Sequence, residues 1–117
     1  MVVCGPIITL FGGFNKESLN DIYQIDIRTA KWGPIEVKSN RPLQRYGHSA
    51  CYYNGKLIIY GGEYKYNPEV RMRDTLCDLW AFDFKKNDFK QINPGNKLIC
   101  EPRKNHIMAL VGFNLLI

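Results

Sequence analysis

Apolar positions along this chain come in short runs separated by Gly, Asn, Asp and Pro, and no run sustains the 3.6-residue repeat of an amphipathic helix. The pattern therefore predicts strands and essentially no helix. Its clearest stretch covers residues 45–62, where an apolar strand enters Asn54-Gly55, a second apolar strand follows, and Gly61-Gly62 closes it. Asn-Gly supplies the two positive-φ residues that a two-residue hairpin turn requires, so a hairpin is expected here. A double glycine ending a strand marks a point where no Cβ fits, because the chain turns or another backbone crowds in.

The same order of features recurs. Gly12-Gly13 precedes Gly61-Gly62 by 49 positions, and an apolar strand leads into each (residues 8–11 and 57–60). A polar loop then opens a third alternating strand at residues 21–27 or 78–84. The second loop, residues 63–77, has eight residues more than the first, residues 14–20. A polar turn follows (28–31 or 85–88), and then an aromatic, Trp32 or Phe89, begins a fourth short strand, residues 32–37 or 89–92. The cycle restarts at Arg45-Tyr46-Gly47-His48 and at Arg103-Lys104-Asn105-His106, 58 positions apart. Residues 107–111 and 115–117 repeat the opening hairpin. Each unit thus reads as four short antiparallel strands over about 50 residues, and units of that kind arranged radially make a β-propeller.

The double glycines, the spaced aromatics and the recurring Arg-x-Gly-His-like start resemble the kelch repeat family over essentially the whole chain. The family pattern places a Trp after an aromatic that follows the Gly-Gly pair, with six residues between them; Phe82 and Phe89 have that separation here, with Phe for Trp. The first unit keeps Trp32 but has Ile25 at the aromatic position, and the third lacks the double glycine. The resemblance implies an all-β fold, an incomplete kelch-type β-propeller of about two four-stranded antiparallel blades plus part of a third. Residues 1–37 would form a first blade lacking most of its innermost strand, residues 45–93 the second, and residues 103–117 the first hairpin of the third. Even the smallest propellers use four blades, so this chain is not expected to close a ring alone. Further blades would come from a longer protein of which this is a segment, or from other subunits.

Composition narrows the classes. At 117 residues, 45% apolar and 13% aromatic, the chain can build a core. Its net charge of +5 is spread out, with seven Lys/Arg against four Asp/Glu in residues 1–60 and nine against seven in residues 61–117. No basic arm exists, which argues for a solvated basic surface rather than a nucleic-acid footprint. The four cysteines at positions 4, 51, 77 and 100 form no Cys-x-x-Cys pair. They suit small, mostly buried residues in a reducing compartment, and a cytoplasmic location, with the nucleus as an alternative, is expected. No basic region precedes the apolar N-terminal run, and no run reaches the length of a membrane span.

The double glycines Gly12, Gly13, Gly61 and Gly62, with Tyr23, Trp32, Trp80, Phe82 and Phe89, read as structural repeat positions, the aromatics packing between neighbouring blades. His48 and His106 occupy one repeat position and lack a partnered nucleophile or carboxylate motif, so no catalytic residue, cofactor or metal ligand set is expected. By the resemblance, the connection entering an innermost strand and the loop after a double glycine emerge on one face. Arg45, Arg103 and the loop of residues 63–77 would meet there, with Tyr64, Tyr66, Arg71 and Arg73 as candidate protein-binding residues. Arg presents a planar fork suited to carboxylates, and Tyr, Met and Arg are enriched at interface cores. The longer loop also reads as tolerated drift, since insertions there cost little. The expected function is a non-catalytic protein–protein interaction module binding a protein partner, with an acidic segment as the candidate ligand. Two alternatives stand beside it. One is a fragment of a kelch-type enzyme, for which the metal constellation is missing from the sequence. The other is a basic nucleic-acid surface, which predicts steep salt dependence.

Overall fold

The computed structural model describes residues 1–93 and 101–117, so Cys100 lies outside the described residues. Strands β1 (Val2–Cys4), β2 (Ile7–Asn15), β3 (Glu17–Asp26) and β4 (Lys31–Pro34) form one antiparallel sheet in that order. Next come β5 (Ser49–Tyr53), β6 (Lys56–Tyr60), β7 (Glu63–Asn67), β8 (Met72–Thr75), β9 (Leu79–Asp83) and β10 (Asp88–Gln91). The second sheet runs β10-β9-β6-β5, while β7 and β8 pair as a separate hairpin. A last hairpin joins β11 (Ala109–Val111) and β12 (Asn114–Leu116). The described residues contain no helix, and the whole is an open, partial propeller.

Asn54 (φ 44°) and Gly55 (φ 73°) both take the left-handed conformation between β5 and β6, as the two-residue turn demands. Two segments read as loops are longer hairpins. β2 and β3 continue past the double glycine through a bulge between Phe11 and Gly13 and turn at Lys16 (φ 62°), so most of residues 14–20 is strand. Residues 63–77 likewise fold into β7 and β8 around a turn ending at Arg71 (φ 52°).

The pleat fixes the packing, because side chains alternate between faces. One face of the first sheet carries Val2, Phe11 and Ile22, and it packs on Leu57, Ile59, Phe82 and Phe89 from the second sheet. The opposite face of the second sheet carries Ile58, Tyr60 and Ala81, and it packs on Met108, with Leu115 and Ile117 alongside. Phe89 sits 4.7 Å from Phe82 and 5.4 Å from Phe11 between ring centroids, joining the first two units.

Two of the aromatics expected between blades have no blade against them among the described residues. Trp32 is 57% exposed and Tyr23 38% exposed. Trp32 repeats the position of Phe89, whose face packs against the unit before it; no described residue covers that face of the first sheet. The cysteines also differ from expectation: Cys4 and Cys77 are exposed and Cys51 is half-buried.

Candidate protein-interaction face

The joints between units explain the double glycines. Gly12 has φ +60°, and a Cβ there would lie 2.6 Å from the Arg45 carbonyl oxygen. Gly61 has φ +67°, and its Cβ would lie 2.5 Å from the Arg103 carbonyl oxygen. In each joint the next residue's amide donates to that same oxygen, Gly13 to Arg45 at 2.8 Å and Gly62 to Arg103 at 2.9 Å. The Arg45 amide in turn donates to the Leu19 carbonyl at 2.8 Å, and the Arg103 amide to Leu76 at 3.3 Å. Each double glycine is therefore a hydrogen-bonded seat for the start of the next unit.

The Arg45 side chain is a brace. Its guanidinium is fully buried and pairs bidentately with Asp78 at 2.7 and 2.8 Å, and it also donates to the Gly61 carbonyl at 3.0 Å. Its Nε donates to the Leu43 carbonyl at 3.0 Å, and Trp80 Nε1 donates to Asp78 at 2.6 Å. Burial pushes the Asp78 carboxyl up, but the hydrogen bonds and charge of Arg45 outweigh it and hold it below the ordinary carboxylate range.

A groove of about 450 Å³ opens between the tip of the β2–β3 hairpin and the β7–β8 hairpin. Phe14, Lys16, Gln44, Tyr64, Tyr66 and Arg73 are among its lining residues. Strand register puts Tyr66 opposite Arg73, which places both side chains on one face of the hairpin. The Arg73 guanidinium carbon lies 5.4 Å from the Phe14 ring centroid, 5.4 Å from Tyr46 and 5.7 Å from Tyr66. Phe14 and Tyr46 also touch each other, with centroids 5.1 Å apart. Three rings thus hold the guanidinium by cation–π contact, and it forms no ion pair among the described residues. Ser18 ties the two hairpins together by donating to the Tyr64 carbonyl at 2.6 Å.

Behind the aromatic cluster, Glu63 is buried and accepts from both the Tyr46 hydroxyl and the Lys104 ammonium. Burial raises the Glu63 carboxyl, and these hydrogen bonds, with the charges of Lys104 and Arg73, more than offset it, so the carboxyl stays ionised below its usual range. The same hydrogen bond from the other side, with burial, raises the Tyr46 hydroxyl.

A family model described as the KLHDC2/KLHL20/DRC7 Kelch-repeats domain matches residues 1–117. The chain belongs to the kelch repeat family. It is 35% identical over 115 residues to Kelch domain-containing protein 3 of Homo sapiens, covering 96% of this chain and 28% of that protein. It is 32% identical over 100 residues to Protein ral2 of Schizosaccharomyces pombe, covering 82% of this chain and 16% of that one. The solved structure of YjhT superposes with a TM-score of 0.60 at 15% identity over 90% of this chain and 32% of its own, a likeness of fold. The chain therefore spans less than a third of the length of each of these proteins. Kelch repeat domains generally serve as protein-interaction modules.

Within this kelch frame the candidate residues separate. Tyr64, Tyr66 and Arg73 line one groove, and Arg71 lies exposed at the adjacent turn. Arg45, read from sequence as a binding residue, is instead sealed inside the fold, because Asp78 and two carbonyls occupy its donors. Arg103 is half-buried and donates to the Glu101 and Ile117 carbonyls, both at 3.3 Å. Phe14, Lys16, Tyr46, Glu63 and Lys104 were not singled out by the sequence. The signal was present: Phe14 and Glu63 each directly follow a double glycine, and Tyr46 and Lys104 each follow the Arg that starts a unit.

Proposed function

We propose that this chain is a non-catalytic kelch module whose groove between the β2–β3 and β7–β8 hairpins takes an acidic segment of a protein partner. The observation that carries this is Arg73: three aromatic rings hold its guanidinium, and it forms no ion pair among the described residues. A fixed, unpaired Arg loses little rotamer freedom on capturing a carboxylate, and a planar fork suits that ion bidentately. Lys16 and Lys65 flank the groove with further positive charge, against Glu17 alone on the lining. The exposed faces of Phe14 and Tyr66 offer apolar contact beside the charge.

The test uses fluorescence anisotropy with a short, C-terminally amidated peptide of alternating glutamate and serine, and its glutamine counterpart. The acidic peptide should bind, the glutamine peptide should not, and Arg73→Ala should weaken binding by about tenfold, the equivalent of one well-placed charged contact. Equal binding of both peptides, or an unchanged affinity in Arg73→Ala, would remove the reading. A single-stranded oligonucleotide that outcompetes the peptide would replace it with the nucleic-acid alternative.

A further inference from the structure

Repeat positions expose a second role beside the groove. Glu63 follows the second double glycine as Phe14 follows the first, and Lys104 stands in the third unit where Tyr46 stands in the second. The first joint therefore carries the Phe14–Tyr46 ring pair, and the second carries the Glu63–Lys104 ion pair at equivalent places. The two joints meet at Tyr46, whose ring packs on Arg73 and whose hydroxyl bonds Glu63.

We infer that Lys104 is a positioning residue for the groove: by holding the buried Glu63 carboxylate, it keeps the Arg73 guanidinium open for an anionic ligand. Glu63 is an internal rival of any such ligand, since the Arg73 charge acts on it. It is buried, so it requires a cation, and a buried carboxylate stripped of its partner recruits whatever positive group is within reach. Arg73 is that group. It stacks on the same Tyr46 ring whose hydroxyl Glu63 accepts, and its charge already acts on the Glu63 carboxyl. With Lys104 in place, both Glu63 oxygens are bonded, one to Tyr46 and one to Lys104, and Arg73 lines the groove. Without it, Arg73 turns inward and the site closes on itself. The third unit, which supplies none of the groove's lining, would thus set whether the groove binds.

This inference rests on the acidic-segment reading but is read out separately from it. In the intact chain, Lys104→Ala and the double variant Lys104→Ala/Glu63→Gln are compared with the parent, by affinity for the glutamate–serine peptide and by the Arg73 Nε–Hε resonance. Lys104→Ala should weaken the peptide by about fivefold or more, a coupling of ordinary size between neighbouring sites. It should also shift the Arg73 resonance and slow its solvent exchange, and both changes should revert in the double variant and in Lys104→Arg. An Arg73 resonance unmoved by Lys104→Ala, or a shift that survives Glu63→Gln, overturns the inference. If the parent binds no acidic peptide, the functional reading falls while the resonance still decides the role of Lys104.

Discussion

Arg45 and Arg103 occupy the same repeat position, use their backbones identically and use their side chains differently. Both carbonyls accept from the second glycine of the preceding unit, and both amides donate back to it. Arg45 then reaches Asp78, 33 positions later, where the third strand of its own unit begins. Arg103 forms no ion pair among the described residues, and it rests on two carbonyls. The backbone joint is thus set locally, by two glycines and one carbonyl. The side-chain brace needs the carboxylate that opens the third strand of the same unit. An arginine at this repeat position is sealed where it meets a carboxylate of its own unit and half-buried where it meets carbonyls alone.

The first way to break this comparison is through the aromatics, which obey the same logic across a joint. Phe89 is 5% exposed and Trp32, its repeat equivalent, is 57% exposed. Phe89→Ala should cost about 3–5 kcal/mol in urea unfolding, as truncation of a buried aromatic does, and Trp32→Ala less than about 1 kcal/mol. Equal costs would mean that exposure does not track packing across the blades. The arginines come next. Arg45→Met leaves the mostly buried Asp78 carboxylate without its partner and should cost about 3 kcal/mol. Arg103→Met should stay within about 0.5 kcal/mol. Comparable losses at the two positions would show that the backbone joint, not the ion pair, depends on the arginine.

Much of this was legible in the sequence because local chemistry determines it. Asn54-Gly55 can do little else but turn a hairpin, and the spacing of Gly12-Gly13 and Gly61-Gly62 sets out the units. The identity of the groove was half legible: alternation along residues 63–67 and 72–75 implies a hairpin with Tyr66 and Arg73 on one face, yet those residues read as a loop. What failed was the fate of charged residues at repeat positions. Arg45 and Arg73 look alike in sequence, and only the position of Asp78 against one and of three rings against the other separates brace from binding residue. Trp32 failed for a related reason, since burial at a blade face depends on a neighbour and not on the residue itself.

The histidines sharpen the comparison most finely, because His48 sits in the joint between the first two units and His106 in the next. Both rings pack edge-on against an aromatic, His48 on Phe11 with centroids 5.5 Å apart and His106 on Tyr60 at 5.6 Å, and His106 Nε2 also lies 2.6 Å from Ser49 Oγ. Burial first, then neighbouring positive charge including Arg45, lowers His48 to about 4. Burial, with Arg103 nearby, lowers His106 as well. A base whose folded pKa is depressed stays neutral while its unfolded counterpart takes up a proton, so stability is full above the unfolded value and falls as pH drops toward the folded one. For His48 that window runs from about pH 6.5 down to about 4, and at pH 5 the loss should be about 2 kcal/mol. Asp78, held below its ordinary range, remains ionised there and does not confound the measurement. Urea unfolding at pH 7 and pH 5 should therefore show the drop in the parent chain and a flatter pH dependence in His48→Gln, despite its lower stability at pH 7. An identical slope in the two would mean that His48 is wet enough to protonate in place, and that the first joint is looser than the packing of Phe11 against its ring implies.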